Sequence, residues 1–223
     1  MVANMDSENI NGLKRQDRWN NITYTYDIIE KRNMDYIKGL EKYKIVEIEG
    51  KRICFFHGSP YNTRDSIFKD SYEMFNRIIK DFDCDIYLMG HTHINTYVNY
   101  KDKIFINPGS VGMPISHGKK FRYGVLCIDN GNLYYENKTI EYNYEEVKKY
   151  LLSSDYHIKV KEWSELSLNN LKYNRNYTQE FVDFVEEEAS KNGINTKDAT
   201  PNYFWREMYE KFINKNPEIE KIS

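Results

Sequence analysis

The sequence predicts a mixed α/β sandwich followed by a C-terminal helical extension. Three observations carry that expectation. Short apolar runs bounded by turn residues recur between residues 43 and 142. A single amphipathic helix separates two of them, as in a strand–helix–strand unit. Beyond about Glu145 the pattern changes to helices and polar linkers.

The first twenty residues read as polar and irregular, and Thr23 to Tyr43 as one or two short helices broken near Lys31–Asn33. Ile28, Ile29, Met34, Ile37 and Leu40 are the expected buried stripe there. "YKIVEIEGKRICFFHGS" reads as a hairpin turning at Glu49–Gly50, with its second strand from Ile53 to Phe56. "SYEMFNRIIKDFD" is amphipathic, with Met74, Phe75, Ile78, Ile79 and Phe82 on one side. "CDIYLMG" is short, apolar and glycine-bounded, as a buried strand is. Further strands are expected at Thr96–Asn99, Lys103–Ile106, Tyr123–Ile128 and Leu133–Tyr142, the last two joined by the turn "DNGN". "NYEEVKKYLLSS" reads as a closing helix, so a first domain is expected over residues 1–152 and an extension over 153–223. In the extension, 153–175 reads as a polar stretch anchored by Trp163, and a helix ends at Gly193 with Glu186–Glu188 on its solvated face. A last helix starts with Thr200 as N-cap and Pro201 at its first position, and buries Phe204, Trp205, Met208, Tyr209, Phe212 and Ile213.

Composition sets outer limits. Thirty-two Lys and Arg against 34 Asp and Glu give a net charge of −2, which supplies no electrostatic attraction for nucleic acid or an acidic membrane. No apolar stretch approaches the twenty residues of a membrane span, and "MVANMDSENI" lacks the basic and apolar regions of a signal peptide, so a cytoplasmic location is expected. Cys54, Cys84 and Cys127 form no CxxC and are expected as buried reduced thiols.

The chemistry is expected at three segments. His57 follows the apolar "ICFF" and precedes Gly58; His91 and His93 follow "DIYLMG". If the two strands lie parallel, both carboxyl ends reach one sheet edge, where open α/β sheets build their sites. Imidazole nitrogens there suit Mn, Ni, Fe or Zn better than Ca or Mg. The third segment, "INPGSVGMP" at 106–114, is by itself a turn-rich loop after a strand.

Taken together and in this order, "HGSP" at 57–60, "GHTH" at 90–93 and "NPGS" at 107–110 resemble the calcineurin-like metallophosphoesterases, nearest their small prokaryotic phosphodiesterase subgroup. The resemblance covers roughly residues 1–150 and includes "FRYGVLCID". It implies a sandwich of mixed sheets flanked by helices, a dinuclear transition-metal site and hydrolysis of a phosphodiester or phosphomonoester. By position it implies His57 and His91 as ligands of one metal and His93 as a ligand of the other. "ANMD", residues 3–6, is the best match to the family's GNHD, which makes Asn4 a further ligand and leaves Met5 at the catalytic histidine position. A thioether moves no proton, a loss worth roughly 10²–10⁴ in rate. The family's Asp-x-His and Gly-Asp motifs have no counterpart in the chain. The resemblance therefore implies an N-terminally truncated domain with one or partial metal occupancy and impaired or absent activity on a phosphate ester. The alternative it leaves open is a non-catalytic binding or scaffold protein of the same fold. No role is expected for His157, and His117 is expected as an exposed loop residue. Association into oligomers stays open.

Overall fold

The computed structural model describes residues 7–115, 120–196 and 199–221. It comprises two compact units, residues 41–142 and the helices of the two flanking segments, up to Leu40 and from Asn143. The sequence-based boundary at residue 152 does not coincide with this grouping, because the N-terminal helices pack with the C-terminal ones.

The unit of residues 41–142 is built on a five-stranded sheet ordered β1-β2-β3-β5-β4, from β1 (Tyr43–Ile48), β2 (Lys51–Phe56), β3 (Ile86–Leu88), β4 (Thr96–Tyr100) and β5 (Lys103–Asn107). β1 and β2 form the expected hairpin, whose turn residues Glu49 and Gly50 have φ of 48° and 71°. Positive φ at both central residues makes a turn that matches the strand twist, and the glycine takes it without strain. β2, β3 and β5 are mutually parallel, while β1 and β4 close the sheet as antiparallel edges. The crossover from β2 to β3 is α4 (Tyr72–Phe82), which buries Phe75 and Ile78.

Alternation sorts the strand residues onto two faces. Cys54, Phe56, Tyr87 and Phe105 meet Phe75 and Ile78 on one face, with the Phe105 ring stacked on Tyr87 at 4.4 Å and tilted against Phe75 at 4.2 Å between centroids. Each such side chain contributes about 1.5–3 kcal/mol by burial. Ile53, Ile86 and Ile106 point the other way, onto Leu126, Ile128, Leu133 and Tyr135. Those four belong to the long hairpin of β6 (Lys120–Asp129) and β7 (Asn132–Glu141), a two-stranded sheet of its own. The sandwich is thus helix on sheet on hairpin.

The helical unit contains α1 (Ser7–Leu13), α2 (Asn20–Ile28), α3 (Lys31–Lys38), α5 (Tyr144–Leu152), α6 (Asp155–Lys159), α7 (Lys161–Tyr173), α8 (Tyr177–Lys191) and α9 (Asn202–Lys215). Its core joins Leu166, Tyr177, Phe181 and Val185 to Trp205, Met208, Tyr209 and Phe212, so the aromatic stripe of α9 is internal. No helix among the described residues is long and apolar enough to cross a membrane.

Several local expectations are corrected. The first twenty residues are partly helical, and in the expected N-terminal stripe only Met34 is buried, whereas Ile28, Ile37 and Leu40 are exposed. Two short helices break at Ile29–Glu30, so no single face collects all five side chains. The stretch 153–175 is not a polar linker: α7 is inside, with Ser164, Glu165, Asn169 and Asn170 buried beside its leucines. Hydrogen bonding makes that burial tolerable. Asn169 donates to Glu165 O and Glu220 O, and Tyr209 donates to Glu165. Glu186 is not simply solvated, since it pairs with the buried Arg18. Thr200 makes no cap; it is buried, accepts from Arg18, and Pro201 takes the N-cap position of α9. Cys54 and Cys84 are buried as expected, but Cys127 is exposed because it lies on the outward face of β6.

Candidate metal centre

The parallel strands deliver three loops to one sheet edge. β2 ends at Phe56 and leads into His57; β3 ends at Leu88, two residues before Gly90; β5 ends at Asn107. Gly90 N donates to His57 O at 2.8 Å, and Met89 N to Ile106 O at 2.8 Å, so the ladder carries the register past the strands into the loops. A Cβ on Gly90 would lie 3.3 Å from His57 Nδ1, so a side chain there would crowd the imidazole.

The loop after β3 is held in an unusual shape. His91 and His93 have φ of 66° and 57°, the left-handed region that non-glycine residues occupy at a cost of about 1–3 kcal/mol each. Asn107 stabilises that shape. It is fully buried; its Nδ2 donates to Gly90 O at 2.8 Å and Thr92 Oγ1 at 3.0 Å, and its Oδ1 accepts from Gly109 N at 2.9 Å. One amide thus ties "GHTH" to "NPGS" with all three of those bonds made.

The other loops are equally constrained. Ser59, fully buried, donates to Asp65 Oδ2 at 2.5 Å and accepts from the main-chain N–H of Tyr61 and Asn62. Gly58 leaves no room for a side chain, since a Cβ would lie 2.7 Å from the Thr63 carbonyl carbon. Gly109, at φ 94°, packs on Arg122, whose N–H donates to Ser110 O at 2.8 Å.

The rings of His57 and His91 meet edge to face with centroids 5.3 Å apart. Burial pushes the His57 pKa down, and the neighbouring His91 and His93 push it further in the same direction. His93 is also pushed down by burial and by His91, against an opposing hydrogen bond with the Met113 backbone. Both rings are therefore biased to the neutral form, whose lone pair binds metal. His93 Nδ1 is buried and has no hydrogen-bond partner, which fits a nitrogen reserved for another acceptor of its lone pair. Among the described residues, however, no group of three or more His, Cys, Asp or Glu closes around a common metal position. The imidazoles suit a transition ion in donor chemistry and protonation but form only part of a coordination shell.

A family model, the calcineurin-like phosphoesterase superfamily domain, matches residues 4–131, more than half of the 223-residue chain. The chain belongs to the calcineurin-like phosphoesterase superfamily. A probable metallophosphoesterase of Mycoplasma pneumoniae (strain ATCC 29342 / M129 / Subtype 1) is 30% identical over 93 residues, 42% of this chain. The chain spans 57% of the length of that relative over the match. The fold agrees with a hypothetical protein from Pyrococcus horikoshii OT3, at a TM-score of 0.58 and 19% identity over 76% of this chain and 68% of that one. It also agrees with a metallophosphoesterase from Sphaerobacter thermophilus, at 0.52 and 18% identity over 68% and 66%. Within this phosphoesterase frame, His57 and His91 come together as the sequence implied, with His93 beside them. Asn4 and Met5 lie outside the described residues, as does His117. His157 is occupied elsewhere, with Nδ1 3.0 Å from Ser164 Oγ. Asn107, Ser59 and Asp65 escaped sequence reading; the available signal was a buried-strand Asn followed by Pro-Gly.

Proposed function

We propose that the chain binds divalent transition metal at the edge formed by His57, His91 and His93 and acts there on a phosphate ester, as an impaired metallophosphoesterase. The observation that carries the reading is the meeting of two imidazoles, 5.3 Å apart, at the carboxyl ends of parallel strands. His57 and His91 would hold one ion, with Asn4 as a further ligand, and His93 would serve a second. Mn, Ni, Fe or Zn suits such nitrogen donors. When bound, such an ion polarises the phosphoryl group and makes water a stronger nucleophile at neutral pH. The chain's own residues then orient and exclude: Asn107 and Ser59 fix the loops, and the neutral imidazoles present lone pairs without a competing proton. With Met5 at the histidine position of the family motif, no imidazole there delivers a proton to the leaving oxygen. In this reading residues 1–152 are the phosphoesterase domain, 153–223 an extension, and the protein works in the cytoplasm without nucleic acid or membrane as partner.

The second reading, a non-catalytic binding or scaffold protein, is favoured by one observation: the absence of a three-ligand group among the described residues. One pair of measurements separates the two. Calorimetric titration of the purified chain with Mn and with Zn is expected to show binding that His91→Ala weakens at least tenfold. Hydrolysis of bis-p-nitrophenyl phosphate and p-nitrophenyl phosphate with Mn or Ni is expected to be slow but above background, and lost in His91→Ala. Metal binding without hydrolysis of either ester supports the scaffold; no metal binding refutes the metal centre itself.

A further inference from the structure

β7 carries a pattern that the metal centre does not use. It is ten residues long and pairs only with β6 among the described residues, so its other edge is open. Strands of this length exceed the usual five or six residues, and an open edge is a template for another strand.

The hairpin turn fixes which groups face that edge. Asn130 and Gly131, at φ 49° and 77°, form a two-residue turn closed by the pair Asp129–Asn132. In such a hairpin the closing pair exchanges main-chain hydrogen bonds, and bonded and non-bonded pairs alternate from there. Counting along β7, the even-numbered residues turn N–H and C=O toward β6. Leu133, Tyr135, Asn137, Thr139 and Glu141 turn theirs to the open edge. The side chains of Tyr134, Glu136, Lys138 and Ile140 share the outward face. Tyr134 and Ile140 are 61% and 48% exposed, and Glu136 and Lys138 form an ion pair of 2.5 Å.

This row is complementary to itself when reversed. A two-fold axis through Asn137 sets Glu136 opposite Lys138 of a second copy, Lys138 opposite Glu136, and Tyr134 opposite Ile140. It is the one two-fold register in which each of these charges meets its opposite. In the same register Asn137, Tyr135, Thr139, Leu133 and Glu141 supply the main-chain bonds across the edge. The charged and apolar pairs then fall at the non-bonded positions, where opposing side chains come closest. The Asn137 side chain is engaged inward, donating to Pro108 O at 2.8 Å and accepting from Arg122 at 3.0 Å, which leaves its main chain free at the axis.

We propose that a second copy of this chain docks antiparallel along the open edge of β7, about a two-fold axis at Asn137, joining two hairpins into one four-stranded sheet. The interface is isologous and small, so association is a concentration-dependent equilibrium. The main-chain amides of Tyr135, Asn137 and Thr139 gain protection only in the dimer.

Sedimentation velocity over a concentration series, with amide exchange at its two ends, tests this. The wild-type chain is expected to dimerise, with exchange at Tyr135, Asn137 and Thr139 slowing at least tenfold as concentration rises. Glu136→Lys alone and Lys138→Glu alone are each expected to be monomeric, because like charges then face each other. Their equimolar mixture is expected to form a heterodimer, and the double swap E136K/K138E to dimerise again. Thr139→Pro removes an outward N–H and is expected to abolish the dimer without breaking a bond to β6. A wild-type chain that stays monomeric, a dimer indifferent to Glu136→Lys and Thr139→Pro, or single variants that do not associate on mixing would overturn the proposal. Because the exchange measurement uses the unaltered chain, it decides even if a variant misfolds.

Discussion

Replacing Asn107 with Ala removes a buried side chain that ties two of the three loops together. Its amide makes three bonds, to Gly90 O, Thr92 Oγ1 and Gly109 N, in a fully buried position. At about 1 kcal/mol per neutral bond, the loss is about 3 kcal/mol. That equals roughly a 10²-fold rise in local opening. Fluorescence of the three tryptophans, Trp19, Trp163 and Trp205, does not report on these loops residue by residue. Amide exchange does: Gly109 N–H loses its acceptor directly, and Gly90 to Ile94 are expected to exchange faster because the left-handed His91 and His93 relax. Metal affinity is expected to fall about 10–100-fold, as for other losses of groups that orient ligands. Unchanged exchange at Gly109 together with unchanged metal affinity in Asn107→Ala would refute the assignment of Asn107 as the clamp.

Two further outcomes are expected. Gly58→Ala drives a Cβ to 2.7 Å from the Thr63 main chain, which cannot yield as a flexible side chain would, and should cost about 1–3 kcal/mol or more, read as a lower urea midpoint; a midpoint equal to wild type would show that the loop shifts freely. Burial holds the Glu162 carboxyl above the ordinary range. The folded state thus binds that proton more tightly than the unfolded one, and the group's contribution to stability falls as pH rises from the unfolded carboxyl pKa through the folded value. Glu162→Gln should therefore gain stability on wild type as pH rises above the ordinary carboxyl value of about 4, and a pH-independent difference in urea midpoints would contradict this.

The sheet was legible because its strands obey period two and its turns carry their own signals; Glu49–Gly50 and Asn130–Gly131 adopt the positive φ that their sequence implies. The approach of His57 to His91 follows from the parallel strands that end beside them. α7 was not legible, because its inward face carries Ser164, Glu165, Asn169 and Asn170, and their partners come from residues as distant as Tyr209 and Glu220. The N-terminal stripe misled for the opposite reason: its five apolar residues fall on two short helices broken at Ile29–Glu30, and Leu40 lies beyond the second, so they share no face. Asn107 was hidden in a segment that reads as a loop, since its role depends on Gly90 and Thr92, fifteen or more residues away.

The bonds that shape the histidine loop run through the main chain of His57 and Gly90, through Thr92 and through Asn107. Frame and cargo are therefore largely separable at this edge: these bonds are made by groups other than the imidazole rings, to which the His93 ring adds one bond with the Met113 backbone. A lineage can exchange one ring for another side chain and keep the loop, so loss or change of metal chemistry need not announce itself as loss of fold. Such a frame can outlive the reaction it was built around, and can equally be refitted for a new one by substitutions at the ring positions alone.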